Sequence, residues 1–559
     1  MRDFASRQDG TRRLPYTIAC AVILAGIAAP RAGAEAPVGD ASALRTEEAA
    51  VAPGSLAPQQ LAARIDADLR AAREAAGVAP APPASDAEFL RRASLGIVGK
   101  IPTVAEARAF LDDPSPDKRA RLVEDLLGRA SCAAHFANTW RELILPGANS
   151  NPETRGLVPP FEGWLRLRFA ANTPYNELAA EVLTAVQQPA AMAVTPFAVN
   201  NDAPLSPLAF YQVNEQKPEN LAANTARVFL GLQVQCAQCH DHPFADWKQT
   251  QFWQLAAFFG NAAGDAAAGA MPSDDPSQRT ITIPDLDVVV EACFLDGSQP
   301  AWRAGEGRRT ALARWITRPE NPFFARAAVN RVWEMFFGHG FVEPVDDLDP
   351  ANRASHAELF EEIAAQFVLH DYDLKYLVRT IAATEAYQFS SRTKEVGETD
   401  PRLFARLPLR QMTPEQLFDS LVQATGYRER IAEEQLFNPF AEDSIRAQFQ
   451  ARFRQAQRRT EAETSILQAL ALMNGSFVAD ATSLQQSETL AAVAEMPLVD
   501  TETRVETLFL ATLTRQPTPE EAAEFAAYVD SGGSTGDTRA ALADVFWALL
   551  NSAEFVLDH

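Results

Sequence analysis

The stretch "DAEFLRRASLGIVGKIPTVAEARAFLDDPSPDKRARLVEDLLGRASCAAHFANTWRELIL", residues 86–145, is a succession of short amphipathic segments. Apolar residues recur in it every three to four positions, the spacing that gives a helix one buried face. Pro102, Pro114 and Pro116 interrupt this pattern and mark turns between the helices. Because the same spacing returns over most of the chain, the sequence predicts a mainly α, multi-helical protein.

One segment departs from the helical pattern. "TITIPDLDVVVEACFLDG", residues 280–297, has the Thr, Val and Ile content typical of strands. We therefore expect two principal helical domains and a small β insert, with an extended surface loop as the alternative for the insert. The predicted divisions are a signal peptide at 1–34, an Ala/Pro-rich linker with one helix at 35–84, a first helical domain at 85–262, the β insert at 263–306, a second helical domain at 307–425 and a C-terminal helical region at 426–559.

The first residues have the layout of a secretory signal peptide. Arginines precede the apolar run "LPYTIACAVILAGIAAP", which is followed by the small-residue sequence "RAGAEAP". We expect cleavage after Ala34 and export to the periplasm or the cell surface. An uncleaved membrane anchor is the alternative, although the run is shorter than the roughly 20 apolar residues of a typical span.

The charge of the chain argues against two classes of partner. Removal of residues 1–34 takes away five arginines and two aspartates, which shifts the formal net charge from −23 to −26. A surface this acidic repels phosphate backbones and anionic lipids, so no nucleic acid is expected as a partner. No later stretch is long and apolar enough to predict a membrane span after signal cleavage.

Residues 234–247, "VQCAQCHDHPFADW", hold the candidate functional site. Cys236, Cys239 and His240 form the C-x-x-C-H pattern that attaches c-type haem. Two thiols one helical turn apart can form thioethers to the two vinyl groups, while the adjacent His240 binds the iron as the proximal ligand. The sequence therefore predicts one covalent haem c, and Asp246 as the cap of the next helix.

Three other readings of the same residues stay open. Zinc could be bound by Cys236, Cys239, His240 and His242, although structural zinc sites usually combine two more widely separated ligand pairs. A redox disulfide between the two cysteines would suit thioredoxin-like chemistry, but no βαβ pattern surrounds them. The residues could also serve packing alone, His242 above all, since Pro243 after it marks a turn.

Several long stretches resemble the planctomycete-type cytochrome-c-like secreted proteins, which pair two domains of unknown function. The first domain resembles "FLGLQVQCAQCHDHPFADWKQTQFWQLAAFF", residues 229–259. The second is similar to "RRTALARWITRPENPFFARAAVNRVWEMFFGHGFVEPVDDLDPANRASH", residues 308–356. The resemblance implies a haem-dependent redox or electron-transfer role with an unknown substrate. It also implies a redox partner protein, because this chain has no second C-x-x-C-H. No enzyme class is named by it.

The sixth ligand of such a haem is not set by spacing. Met335, His339 and His356 lie in the later helical half and could approach only through tertiary folding. The family pattern has Arg where His339 stands, whereas His356 fits the pattern and is the better distal candidate. Export also allows a disulfide between Cys132 and Cys293. The competing class of function is a non-redox binding or scaffold protein whose Cys/His cluster binds zinc or only shapes a turn.

Overall fold

A computed structural model describes the chain at residues 54–151, 153–185, 205–260, 274, 276–284, 286–392, 400–428, 445–453 and 466–559. The predicted signal peptide, residues 1–34, and residues 35–53 of the linker that follows it lie outside these residues. Helices make up most of the described chain, which confirms the prediction of a mainly α protein. Among the described helices, none combines the length and the apolar character that crossing a membrane requires.

The first half of the chain forms ten α-helices within the described ranges, several of them joined by single turns of 3₁₀ helix. They are α1 (Pro58–Ala76), α2 (Asp86–Val98), α3 (Val104–Leu111), α4 (Lys118–Gly128), α5 (Ala130–Ile144), α6 (Val158–Ala170), α7 (Tyr175–Leu183), α8 (Ala209–Val213), α9 (Pro218–Thr225) and α10 (Gln249–Ala256).

The small β insert is an antiparallel hairpin of β1 (Thr280–Ile283) and β2 (Val288–Glu291), in which Thr280 faces Glu291 and Ile283 faces Val288. The alternative of an extended loop is therefore wrong for these residues. Both strands contact α10, so the hairpin lies beside the helix that follows the Cys/His segment.

Helices resume after the insert and continue to the last described residues. They are α11 (Arg308–Ile316), α12 (Phe324–Phe337), α13 (Ala357–Leu369), α14 (Leu374–Ala383), α15 (Pro414–Thr425), α16 (Ile445–Phe453), α17 (Ile466–Asn474), α18 (Ser476–Ala481), α19 (Glu488–Ala494), α20 (Thr501–Leu513), α21 (Pro519–Asp530), α22 (Thr538–Leu550) and α23 (Ala553–Val556). Two short strands, β3 (Arg410–Gln411) and β4 (Leu557–Asp558), pair antiparallel across a long sequence separation.

Buried apolar residues form two clusters. The first takes its residues mainly from 61–407 and so includes side chains from both predicted helical domains and from the hairpin. The second is built mainly from 412–555. Helix α2 contributes to both, because Phe89, Ala93 and Ile97 belong to the first cluster whereas Leu95 belongs to the second.

Helix α2 is therefore enclosed on all sides. Its sequence pattern predicts one buried face, but every residue from Glu88 to Val98 is buried, two arginines included. A helix that lies between two cores has no solvent-facing side, which explains the difference. The charged side chains of this helix must consequently find their partners inside the protein.

Arg91 finds these partners at the ends of two helices in the second core. Its guanidinium donates to the carbonyl of Thr512 at 2.9 Å and to that of Phe555 at 2.6 Å. Carbonyls in the last turn of a helix lack partners within the helix and carry partial negative charge. Burial lowers the pKa of Arg91 to about 10, so the side chain stays charged at neutral pH.

Arg92, the next residue, joins α2 to the first core. It donates to the carbonyl of Tyr387 at 2.6 Å and to Oε1 of Glu88 at 3.0 Å. Glu88 in turn accepts a hydrogen bond from the Ser390 hydroxyl at 3.0 Å. The two neighbouring arginines thus bind different parts of the chain to one central helix.

The disulfide that the sequence allows between Cys132 and Cys293 is not formed, since both thiols are free and buried. Cys132 lies within α5, where burial raises its pKa to about 11. The Cys293 thiol follows β2 and donates to the carbonyl of Ser298 at 3.4 Å. The two cysteines thus have different surroundings and do not form a disulfide bond.

Replacing Arg91 with methionine is expected to lower the free energy of unfolding by about 3 kcal/mol, because two buried carbonyls lose their donor. Guanidinium chloride unfolding followed by tryptophan fluorescence measures this loss. Arg64→Met is the matched control, since it removes only an ion pair with Glu362 whose side chains are 60% and 30% exposed. A change below about 1 kcal/mol is expected there. Equal losses in the two variants would contradict the role given to Arg91.

Two glycines that end helices give a second test of packing at α2. Gly99 ends α2 and Gly77 ends α1, both with φ in the left-handed region, at 76° and 66°. A Cβ on Gly99 would lie 2.5 Å from Nδ1 of His135, whereas a Cβ on Gly77 meets nothing within 4 Å. Gly77→Ala is expected to cost about 1 kcal/mol of stability. Gly99→Ala is expected to cost about 1–3 kcal/mol more. Similar unfolding midpoints for the two variants would contradict this packing.

Candidate functional site

The Cys/His segment, residues 236–242, begins where the chain makes a tight reversal. The turn of π-helix at Ala226–Leu230 ends at Gly231, whose φ is 64°. A Cβ on Gly231 would lie 2.9 Å from Cδ1 of Leu348, and the carbonyl of Gly231 accepts from the backbone N–H of Leu348 at 2.8 Å. This close approach fixes the direction in which the chain enters the segment.

A short 3₁₀ helix, Gln235–Gln238, then presents the cysteines. Val234 and Ala237 are buried and anchor this turn in the first core. Cys236 and Cys239 are exposed, and their thiols are free. The two cysteines of the predicted motif thus lie at the protein surface with their thiols exposed to solvent, while Val234 before them and Ala237 between them are buried.

His240 is exposed beside Cys239. Its Nδ1 lies 2.7 Å from the carbonyl oxygen of Asp241. Because a carbonyl only accepts hydrogen bonds, the proton of a neutral imidazole is on Nδ1 and the lone pair is on Nε2. An Nδ1–H to carbonyl contact of this kind is the usual way in which a protein orients a histidine that binds metal through Nε2.

Helix α10 holds the segment in place. The indole N–H of Trp253, which is 3% exposed, donates to the carbonyl of Gln238 at 3.0 Å. The side-chain amide of Gln249 donates to the carbonyls of Gln238 and Cys239 at 3.2 and 3.0 Å. These bonds satisfy the carbonyls at the end of the 3₁₀ turn, so the two cysteines stand on a fixed backbone.

The start of α10 differs from the prediction that Asp246 caps it. The N-cap is Lys248, whose backbone N–H donates to the side chain of Gln251 at 2.9 Å. The backbone N–H of Gln249 donates to Oδ1 of Asp241 at 3.0 Å. This hydrogen bond and the neighbouring Lys248 lower the pKa of Asp241. Asp241 therefore connects the segment to the helix, a link between distant residues that sequence spacing could not indicate.

His242 is used inside its own turn. The ring Nδ1 of His242 accepts from the backbone N–H groups of Ala245 and Phe244 at 2.9 and 3.3 Å. The backbone N–H of His242 donates to the carbonyl of Trp247. An Nδ1 that accepts from amides leaves the proton on Nε2, so neither ring nitrogen offers a lone pair outward. This arrangement supports the packing reading of His242.

The zinc alternative lacks a preformed cluster. Within the described ranges, which include Cys236, Cys239, His240 and His242, no three His, Cys, Asp or Glu side chains are gathered where they could hold one metal ion. The residues fit a haem better, because its attachment needs two accessible thiols and one oriented imidazole rather than four converging ligands.

The candidates for a sixth ligand have other surroundings. His356 is held through both ring nitrogens, with Nδ1 2.9 Å from Oδ2 of Asp68 and Nε2 2.9 Å from the carbonyl of Arg402. Met335 lines a cavity of about 150 Å³ with Trp140, and His339 lies close to Asp400. The two hydrogen bonds of the His356 ring thus run to residues outside the Cys/His segment.

Two family models match the chain. PSCyt2, described as a protein of unknown function (DUF1549), matches residues 64–263. PSD1, described as a protein of unknown function (DUF1553), matches residues 308–462 and 441–529. The first match includes the Cys/His segment and α10, and the second begins at α11. No curated protein and no solved structure matches the chain. The chain therefore matches, in order along its length, two domains of unknown function whose pairing is typical of planctomycete-type proteins.

Proposed function

We propose that this protein is an exported redox protein that carries one covalent haem on Cys236, Cys239 and His240 and takes part in electron transfer or haem-dependent redox chemistry. The observation that carries the proposal is the local geometry. Two free, exposed thiols stand on one 3₁₀ turn, next to an imidazole whose Nδ1 is already engaged.

Each residue of the segment has a separate task in this proposal. Cys236 and Cys239 hold the group through thioethers, formed when each S–H adds across a vinyl group, with the hydrogen passing to the other vinyl carbon. His240 offers Nε2 to the iron, while the carbonyl of Asp241 keeps the ring from turning. When bound, the haem supplies reversible one-electron exchange at its iron.

The supporting residues keep this geometry fixed. Gln249 and Trp253 bind the carbonyls of the turn, and the buried Ala237 prevents the turn from moving away from the core. Exposure of both thiols leaves the segment accessible to the machinery that attaches haem after export. The proposed location is therefore the periplasm or the cell surface.

One observation favours the alternative, a non-redox binding or scaffold protein. The hydrogen bonds of His242 and Gln249 would shape this turn even if nothing were attached to it. In that case Cys236 and Cys239 would be exposed residues of a structural turn or partial ligands for zinc.

Expression in a host that matures c-type cytochromes separates the two functions. We expect the purified and denatured protein to keep a Soret band, because thioethers survive unfolding. Cys239→Ser removes one of the two thiols and is expected to abolish the attachment of haem through two thioethers. A colourless protein, with or without one equivalent of zinc, would contradict the proposal.

Two variants control this experiment. Cys293→Ser removes a buried thiol that is not part of the C-x-x-C-H motif and should leave haem content unchanged. His356→Gln should leave the native visible spectrum unchanged, since both nitrogens of His356 already have partners. Loss of the low-spin spectrum in His356→Gln would instead assign His356 as the distal ligand.

A further inference from the structure

Five aspartates lie on the two loops at the Cys/His segment, and we call them the acidic rim: Asp241, Asp246, Asp346, Asp347 and Asp349. The first two belong to the loop that follows the cysteines, and both are exposed. The other three belong to a loop tied to the start of the segment, because the side-chain amide of Gln233 donates to Oδ1 of Asp346 at 2.8 Å. The two loops thus form one surface.

The charges of the rim are close enough to affect one another. Burial raises the pKa of Asp347, and the neighbouring carboxylates of Asp349 and Asp346 raise it further. The backbone N–H of Leu348, between Asp347 and Asp349, also donates to the carbonyl of Gly231 at 2.8 Å. Two hydrogen bonds therefore hold this loop beside the chain that leads into the Cys/His segment, as a continuous surface requires.

The cations at this surface do not balance the acids. Lys248 pairs with Asp241 at 3.1 Å, and both side chains are more than half exposed. Arg227 lies near Asp346, but its guanidinium also donates to the carbonyl of Leu143 at 2.7 Å. Within the described ranges, the other four carboxylates of the rim form no ion pair with a lysine or an arginine. The rim keeps a net negative charge.

An aromatic side chain stands out on the same loop. Phe244 is 92% exposed, among the highest exposures of any large apolar residue in the described chain. Its backbone N–H is held by Nδ1 of His242 at 3.3 Å, and Pro243 precedes it. An exposed aromatic ring on a fixed turn is unfavourable in water and is typical of the apolar contact at the middle of an interface.

We propose that the acidic rim and Phe244 form a docking surface for a basic redox protein, one whose contact face carries lysine and arginine side chains. The inference rests on the proposed function, since it names the class of partner that exchanges electrons with the Cys/His segment. The rim steers the basic face to the segment, and Phe244 makes the apolar contact once the two proteins touch.

The chemistry of the rim selects this partner over others. A second copy of the chain would bring like charges together, and an anionic membrane would be repelled for the same reason. Electron-transfer encounters have small interfaces, below about 1,200 Å² in total, and depend on complementary charge more than on apolar area. One aromatic ring within a charged rim suits an interface of this kind.

Titration calorimetry with a lysine-rich small cytochrome c as the probe tests the docking surface. At an ionic strength of about 0.01 M the Debye length is about 30 Å, and at about 0.1 M it is about 10 Å. We expect binding at the lower ionic strength and an affinity weaker by on the order of tenfold at the higher one. The same cytochrome with acetylated lysines should not bind.

Variants of the rim locate the binding site. The double substitution Asp346→Asn and Asp349→Asn keeps the hydrogen-bond acceptors and removes two charges, so on the order of tenfold weaker binding is expected. Phe244→Ser should weaken binding equally at both ionic strengths, since its contact is apolar. The matched control is Glu520→Gln with Glu524→Gln, which makes the same charge change on two exposed residues of α21 and should leave affinity unchanged.

Three results would overturn the docking surface: no binding to the native probe at low ionic strength, equal binding of the acetylated probe, or an equal loss in the control variant. Concentration-dependent self-association that buries Phe244 would also overturn it, in favour of a second copy. Haem content, read separately from the denatured spectrum, keeps the two proposals apart. Binding of the probe by a colourless protein would contradict the proposed redox function but would still support the docking surface.

Discussion

Buried arginines that donate to the carbonyls of helix ends are the interaction on which this structure depends. Arg91 joins α2 to α20 and α23, and Arg92 joins α2 to the turn around Tyr387. Arg410 does the same for the last turn of α12, where it donates to the carbonyl of Phe336 at 2.7 Å and pairs with Asp558. Many short helices create many unsatisfied carbonyls, and a guanidinium can supply several donors to them at once. A protein of short helices can in this way pack two cores around one helix.

An arginine that donates to backbone carbonyls also holds the chain that leads into the Cys/His segment. Arg331 of α12 donates to the carbonyl of Val228 at 2.8 Å, in the π-helical turn immediately before the segment. The N–H of Leu348 and the amide of Gln233 then join the following residues to the acidic loop. Because α10 binds the carbonyls on the other side, the exposed cysteines stand on a backbone that is held from both ends. Exposure and rigidity together are what a covalent attachment site requires.

Local pattern predicted the helices and the strand content of 280–291. It could not predict that α2 is enclosed by two cores, since amphipathic spacing describes one buried face. The pairing of β3 with β4 was missed because its partners are far apart in sequence. At the site, the C-x-x-C-H residues could be named from their spacing. The prediction of Asp246 as the cap of α10 was wrong, because the aspartate that binds the start of this helix is Asp241, eight residues before the N–H group of Gln249. The contact of the 346–349 loop with Gln233 is tertiary, so no local signal could have shown it.

The central claim is that haem is covalently attached to this segment, and intact-peptide mass spectrometry tests it most directly. Trypsin cuts after Arg227 and Lys248, which releases residues 228–248 with both cysteines and His240 in one peptide. For protein purified from a host that matures cytochromes c, we expect this peptide to carry the added mass of one haem and no thiol in it to react with an alkylating reagent. A peptide of unmodified mass whose two cysteines alkylate, or form a disulfide, would contradict it.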